Sequence, residues 1–195
     1  MKPTLLIASP QMHDPFFERT VVLVWHHDED GAMGLVVNRS VDFTLPQVLE
    51  LDDDIDTSPY EDTKVAWGGP VESGAGTVVT RAPVNDGSGL TLPGLSVTRS
   101  HESLMSLLKR GEPLLLCLGY AGWGQLQLEA EIASGSWVLV PVKGISQPGP
   151  IDAGQLGVEP SWLFEVAPED MWEGALRSIM VDPQRLVGLQ GGLMQ

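Results

Sequence analysis

Apolar positions along this chain fall in short, dense runs divided by glycine, proline and acidic residues. The run Thr4–Ala8, closed by Ser9-Pro10, predicts a strand. Residues 11–19 carry Asp14-Pro15-Phe16-Phe17 and read as a loop or a single helical turn. Residues 20–26 are continuous and β-branched, as a buried strand is. A turn signal at 28–31 and a second apolar run at 32–39 make residues 20–39 a hairpin. Thr44 and Gln47 have the spacing of a capping box, so a short helix follows, to about Leu51. An acidic loop spans 52–62, and further strands are predicted at 64–67 and 76–81, the first ending at Gly68-Gly69-Pro70. Residues 83–93 form a turn region.

The second half is more helical. Ser100 caps a predicted helix that runs to Arg110, with Leu104, Leu107 and Leu108 on one face and Gly111 as its stop. Residues 113–118 form a wholly apolar strand, and 119–124 a glycine-rich turn. Residues 125–133 are expected to be helical, with Leu128 and Ile132 on one face, and 137–142 a strand. A long Gly/Pro loop at 144–160 precedes a last helix at 171–180. Strands and helices mix without regular βαβ alternation, which favours α+β over a doubly wound sheet.

Composition narrows the function classes. The chain of 195 residues suits one domain, and its 43% apolar content suffices for a sizeable core. Against 26 acidic residues there are only 11 basic ones, for a net charge of −15. Nucleic-acid binding needs clustered Lys and Arg to displace counterions, and the basic residues here are scattered, so direct binding of that kind is not expected. An anionic membrane surface is disfavoured for the same reason. The lone Cys117 has no disulfide partner, and no apolar run reaches the length of a signal core or a membrane span. A cytoplasmic protein is the expectation.

No pattern names a catalytic machine. His26-His27-Asp28-Glu29-Asp30 attracts attention as a metal set, but neighbouring strand residues face opposite ways, and the segment reads as a strand end entering an acidic turn. Asp52-Asp53-Asp54 with Asp56 lacks the Gly and Glu of a calcium loop, because Thr57 and Thr63 stand at those positions. Cys117 lies inside a leucine run and reads as core. The string Gly119-Tyr120-Ala121-Gly122-Trp123-Gly124 sits where a phosphate cradle could lie, but its spacing is GxxGxG and no basic residue follows. Neither a catalytic set, a metal nor a cofactor is expected.

Several segments together resemble one family. They are Leu5-Leu6-Ile7-Ala8-Ser9-Pro10, then Met12, Asp14-Pro15-Phe16-Phe17 and Arg19-Thr20-Val21-Val22-Leu23. Gly31 to Arg39 follows, then Gly68-Gly69-Pro70-Val71, then Leu118 to Gly124 with Gln127-Leu128-Glu129 and Glu131-Ile132. In this order they are similar to the YqgE/AlgH family of bacterial proteins, over about residues 4–142 and again 162–182. The resemblance implies an α+β fold whose bent, mostly antiparallel sheet forms a pseudo-barrel with flanking helices. It implies no particular activity, although one branch carries the label of transcriptional regulator for alginate production. Where the family usually has Pro-Gly after the Trp-Gly pair, this chain has Gln125-Leu126, and its C-terminal ending also differs.

The whole chain is expected to be a single domain with a loop insertion at 143–160 and a loosely held tail at 183–195. Its function is expected to be non-enzymatic, either regulatory or interactive, with a protein partner. The alternative is a small-molecule binder or enzyme with its site where residues 119–124 lead from strand to helix. The expected binding surface comprises Asn38, Gly68, Gly69, Pro70, Gly119, Gly122, Trp123, Gln127 and Glu129, on the supposition that their loops meet.

Overall fold

The computed structural model describes residues 4–49, 51, 55–143 and 156–183. Most of the loop expected at 143–160, the tail at 184–195 and the triple aspartate at 52–54 lie outside the described residues. The rest forms an α+β fold around one bent, largely antiparallel sheet.

The first strands follow the apolar runs. β1 (Thr4–Ala8), β2 (Val21–His27) and β3 (Gly31–Val36) form a meander, with β10 (Trp137–Pro141) on the outer side of β1. β4 (Ser40–Thr44) pairs with β5 (Lys64–Trp67), and β6 (Val71–Thr80), β7 (Leu90–Leu92) and β8 (Leu95–Thr98) form the far side. The turn region expected at 83–93 thus contains part of a strand pair: β7 and β8 are too short for a period-2 pattern to emerge.

β9 (Leu114–Gly124) joins the halves. It pairs antiparallel with β6 over Leu114–Tyr120, antiparallel with β3 over Ala121–Gly124, and parallel with β5 at Cys117 and Leu118. The main path runs β10-β1-β2-β3-β9-β6-β8-β7. Its end strands do not pair with each other, so the bent sheet stays open rather than closing into a barrel.

Residues 119–124 are therefore strand, not the glycine-rich turn expected from sequence. The physical reason lies at Gly119, whose φ is +73°. A left-handed residue inside a strand makes a bulge, which shifts the side-chain alternation by one. Before it, Leu114 and Leu116 face one core and Leu115 and Cys117 another; after it, Ala121 and Trp123 take over the first side and Tyr120 the second. A glycine that looks like a stop signal is a phase shift.

Helices cover both faces. α4 (Trp162–Glu165) and α5 (Pro168–Ser178) bury Leu163, Met171, Trp172 and Leu176 against β1, β2 and β10. Trp172 donates its indole N–H to the carbonyl of Ala8 at 2.8 Å, which ties α5 to the N-terminal strand. On the opposite face, α1 (Leu45–Val48) and α2 (His101–Lys109) enclose one cluster, and α3 (Gln127–Ala133) encloses another. The predicted caps are present: Gln47 Oε1 accepts from Thr44 N–H at 2.9 Å, and Ser100 Oγ accepts from Ser103 N–H at 3.2 Å. No described helix is long and apolar enough to cross a membrane.

α3 starts from a strained residue. Its N-cap is Leu126, at φ +59° and 70% exposed, in the place where the resembled family carries glycine. A left-handed L-residue with a Cβ costs about 1–2 kcal/mol, and an exposed side chain recovers little of it. Leu126→Gly is expected to stabilise the fold by roughly 0.5–1 kcal/mol, raising Tm by about 1–4 °C. Calorimetry of both proteins checks this; an unchanged or lowered Tm contradicts the strain.

Candidate functional site

Gly68, Gly69 and Gly119 interlock. A Cβ built on Gly68 would lie 2.2 Å from the Gly119 carbonyl oxygen, and one on Gly69 would lie 2.1 Å from the Tyr120 carbonyl carbon. A Cβ on Gly119 would sit 2.4 Å from the Gly69 oxygen. The β5–β6 link therefore crosses β9 backbone against backbone, where only hydrogen fits. Gly68 N–H donates to Leu118 O at 2.8 Å, and Gly68 O accepts from Val36 N–H at 2.8 Å. Three strands meet at this residue. Pro70 and Gly122 are exposed beside the crossing, Gly122 lying opposite Met33 in the sheet.

Trp123 and Gln127 converge on a residue outside the expected surface, Glu131 on α3. Glu131 Oε2 accepts from the indole N–H of Trp123 at 2.9 Å and of Trp137 at 2.8 Å. Its other oxygen accepts from Gln127 Nε2 at 2.8 Å, and Gln127 Oε1 accepts from Gly124 N–H at 3.0 Å. The network fastens α3 to β9 and β10. Glu129, one position off that face, pairs with His27 at 2.7 Å. His27 thus has an anionic neighbour, while His26 pairs with Asp28 at 2.8 Å. No group of three or more metal-ligating side chains gathers among the described residues.

Asn38 stands apart from both clusters. It accepts from Val21 N–H at 2.7 Å and donates to Arg19 O at 3.0 Å. Arg39 beside it donates to Pro15 O at 3.1 Å and Glu18 O at 2.7 Å. Asp14 Oδ1 accepts from the backbone N–H groups of Phe16 and Phe17 at 2.8 and 3.2 Å. The loop 14–19 is thereby clamped from both sides.

The clamped loop presents a row of aromatic rings. Phe16 stacks on Trp67 (centroids 6.1 Å apart, planes at 19°), and the Arg39 guanidinium lies 5.9 Å over the same indole. Phe17 lies 6.4 Å from Trp67 and meets Trp137 edge-on at 5.7 Å, and Trp137 meets Trp123 edge-on at 6.0 Å. The row runs from buried Trp123 outward to Phe16, which is 52% exposed. Sequence reasoning quoted Phe16 and Phe17 as family residues without assigning them to the surface. The available signal was two adjacent aromatics in a loop, where no periodicity asks for them.

Cys117 is fully buried, and burial pushes its thiol up to about 12. A thiol held protonated and inaccessible is a poor nucleophile.

The family now follows from sequence and fold together. The AlgH-like family profile matches residues 5–146, and the chain belongs to that family. It is 38% identical over 188 residues to a UPF0301 protein of Myxococcus xanthus, covering 96% of this chain and 95% of that one. It is 36% identical to the UPF0301 protein Bpet0561 of Bordetella petrii over 190 residues, covering 95% and 86%. Among solved structures, the AlgH protein of Pseudomonas aeruginosa superposes with a TM-score of 0.71 at 31% identity, covering 100% of this chain and 94% of that one. Protein DIP2367 of Corynebacterium diphtheriae shares the fold with a TM-score of 0.57 at 24% identity, over 77% of this chain and 78% of that one.

Two expectations test this description. Glu131→Ala leaves two buried indole donors without a partner, at about 1–3 kcal/mol each. Urea unfolding is expected to show a loss of about 2–4 kcal/mol, with Glu131→Gln losing less, because its single amide oxygen can still accept from both indoles while the acceptor for Gln127 Nε2 is gone. A loss within about 0.5 kcal/mol, the usual surface value, contradicts the bridging role. Iodoacetamide at pH 8 is expected to label Cys117 only at the rate of unfolding; fast native labelling contradicts its burial.

Proposed function

We propose that this chain is a non-enzymatic interaction protein that docks on a basic partner protein through Phe16 and Trp67. The observation that carries this reading is the bracing of the 14–19 loop around a half-exposed phenylalanine. Asp14, Asn38 and Arg39 hold the backbone on both sides of Phe16, so its ordering entropy is spent before any partner arrives. Rigid, stacked aromatics are the side chains that dominate protein interfaces. Asp14 and Glu18 are exposed on the same loop, and the chain as a whole carries −15. A partner with an apolar socket rimmed by Lys and Arg complements that surface. Any effect on transcription would run through such a partner rather than through a DNA groove, since Lys and Arg number only 11.

The experiment is affinity capture from native cells, followed by titration with the purified partner. Phe16→Ala is expected to weaken binding at least tenfold, about 1.4 kcal/mol, while the fold and Tm stay near the parent's. Binding is also expected to weaken with salt, as opposite charges at a rim require. Unchanged affinity in Phe16→Ala, or affinity indifferent to salt, overturns the proposal.

A further inference from the structure

A second feature is independent of the aromatic row. A cleft of about 280 Å³ opens between α2, β6 and β9, capped by the end of α1. Its floor is apolar, made by Val78, Leu104, Leu116 and Leu118, with Val48 and Leu49 at one side. Its mouth is polar and carries Arg99, Ser100 and His101. Arg99 and His101 thus stand at the mouth above a floor of valine and leucine. Pockets that bind small molecules are built this way, with apolar walls and few, convergent polar groups.

The lip opposite the arginine is unusual. Between Val71 and Gly76 the register of β6 against β9 breaks, with residues 72–75 standing against the single Gly119. Gly74 and Gly76 line the cleft there, and no heavy atom lies within 4 Å of where a Gly74 Cβ would stand. A Cβ on Gly76 would meet Leu116 of the cleft at 3.3 Å. Glu72 in this bulge sits at φ +47°, a conformation that L-residues rarely adopt. Its carboxylate makes one contact with Arg99, at 3.3 Å. Both side chains are well exposed, and an ion pair of this kind contributes little stability. A guanidinium can instead grip a carboxylate with two parallel hydrogen bonds, which a single 3.3 Å contact does not use.

We propose that this cleft binds a small amphipathic monocarboxylate. Its short apolar body lies on Leu104, Leu116 and Val78, and its carboxylate displaces Glu72 from Arg99 beside His101. The bulge with Glu72 acts as an internal anion that occupies Arg99 until the ligand arrives. Charge alone does not suffice, because the floor is apolar. An apolar body alone does not suffice either, because the arginine would stay with Glu72.

The test uses octanoate on the full chain, followed by backbone amide NMR and calorimetry. Octanoate is expected to bind saturably at one site and to shift Gly74, Gly76, Leu104 and Leu116. Octanol, with the same body and no charge, and inorganic phosphate, with charge and no body, are each expected to bind at least tenfold more weakly. Arg99→Gln is expected to reduce octanoate affinity at least tenfold, and Glu72→Gln to raise it several-fold by removing the competing carboxylate. Both positions are exposed, and amide spectra report whether each variant keeps the fold. Phe16→Ala is expected to bind octanoate as the parent does, so this proposal stands or falls separately from the docking one. Absence of saturable binding, shifts that map to another face, or affinities indifferent to both Arg99→Gln and Glu72→Gln overturn it.

Discussion

The fold depends on one close approach, that of the Gly68-Gly69 backbone to Gly119. Two chain segments touch there without side chains between them, at distances that a single Cβ would violate. Because they touch, β9 can bind β5 and β6 while its last residues turn to β3. Because Gly119 adopts a positive φ, the strand also changes which side of the sheet each residue faces. The left-handed Gly119 thus lets a single strand serve three clusters of core residues.

Around that crossing, polar side chains hold backbone rather than one another. Asn38 and Arg39 bond the carbonyls of the 14–19 loop, and Glu131 collects the indoles of two strands. The residues expected at the binding surface make separate local contacts. Gly68, Gly69 and Gly119 make the crossing, Trp123 and Gln127 serve the Glu131 node, Glu129 pairs with His27, and Asn38 secures the start of β2. The aromatic side chains that this bracing leaves outward are Phe16 and, in part, Phe17 and Trp67. Membership of the AlgH-like family accounts for the ordered strings that carry the braces, since Asp14, Asn38 and Arg39 all lie within the matched span.

The two proposed surfaces are separate pieces of chemistry on one scaffold. The aromatic row ends on a rigid loop with acidic neighbours and suits a macromolecular face. The cleft beside α2 is small, with leucine and valine side chains below and Arg99 at its mouth, the chemistry proposed for a small amphipathic carboxylate. They share β9 as a floor: Trp123 anchors the inner end of the row, and Leu116 and Leu118 line the cleft.

The amino-acid sequence by itself determined the strands that are long, apolar and β-branched, and the helices with a cap and a periodic face. Residues 4–8, the 20–39 hairpin and the Ser100-capped helix were legible because local propensity and burial point the same way. The family was legible for a similar reason, since its strings are unbroken. Only the tertiary structure decided what each glycine does. Gly119 reads locally as a turn and becomes a bulge because β3 and β6 continue the ladder on either side of it. Short strands such as β7 and β8 also escaped notice, because three or four residues carry too little periodicity. The site residues were least legible of all. Glu131 looks like any exposed helix glutamate until two tryptophans from other strands arrive, and Arg99 like any surface arginine until Leu116 and Gly74 are set beside it. Those meetings are long-range, and no local pattern encodes them.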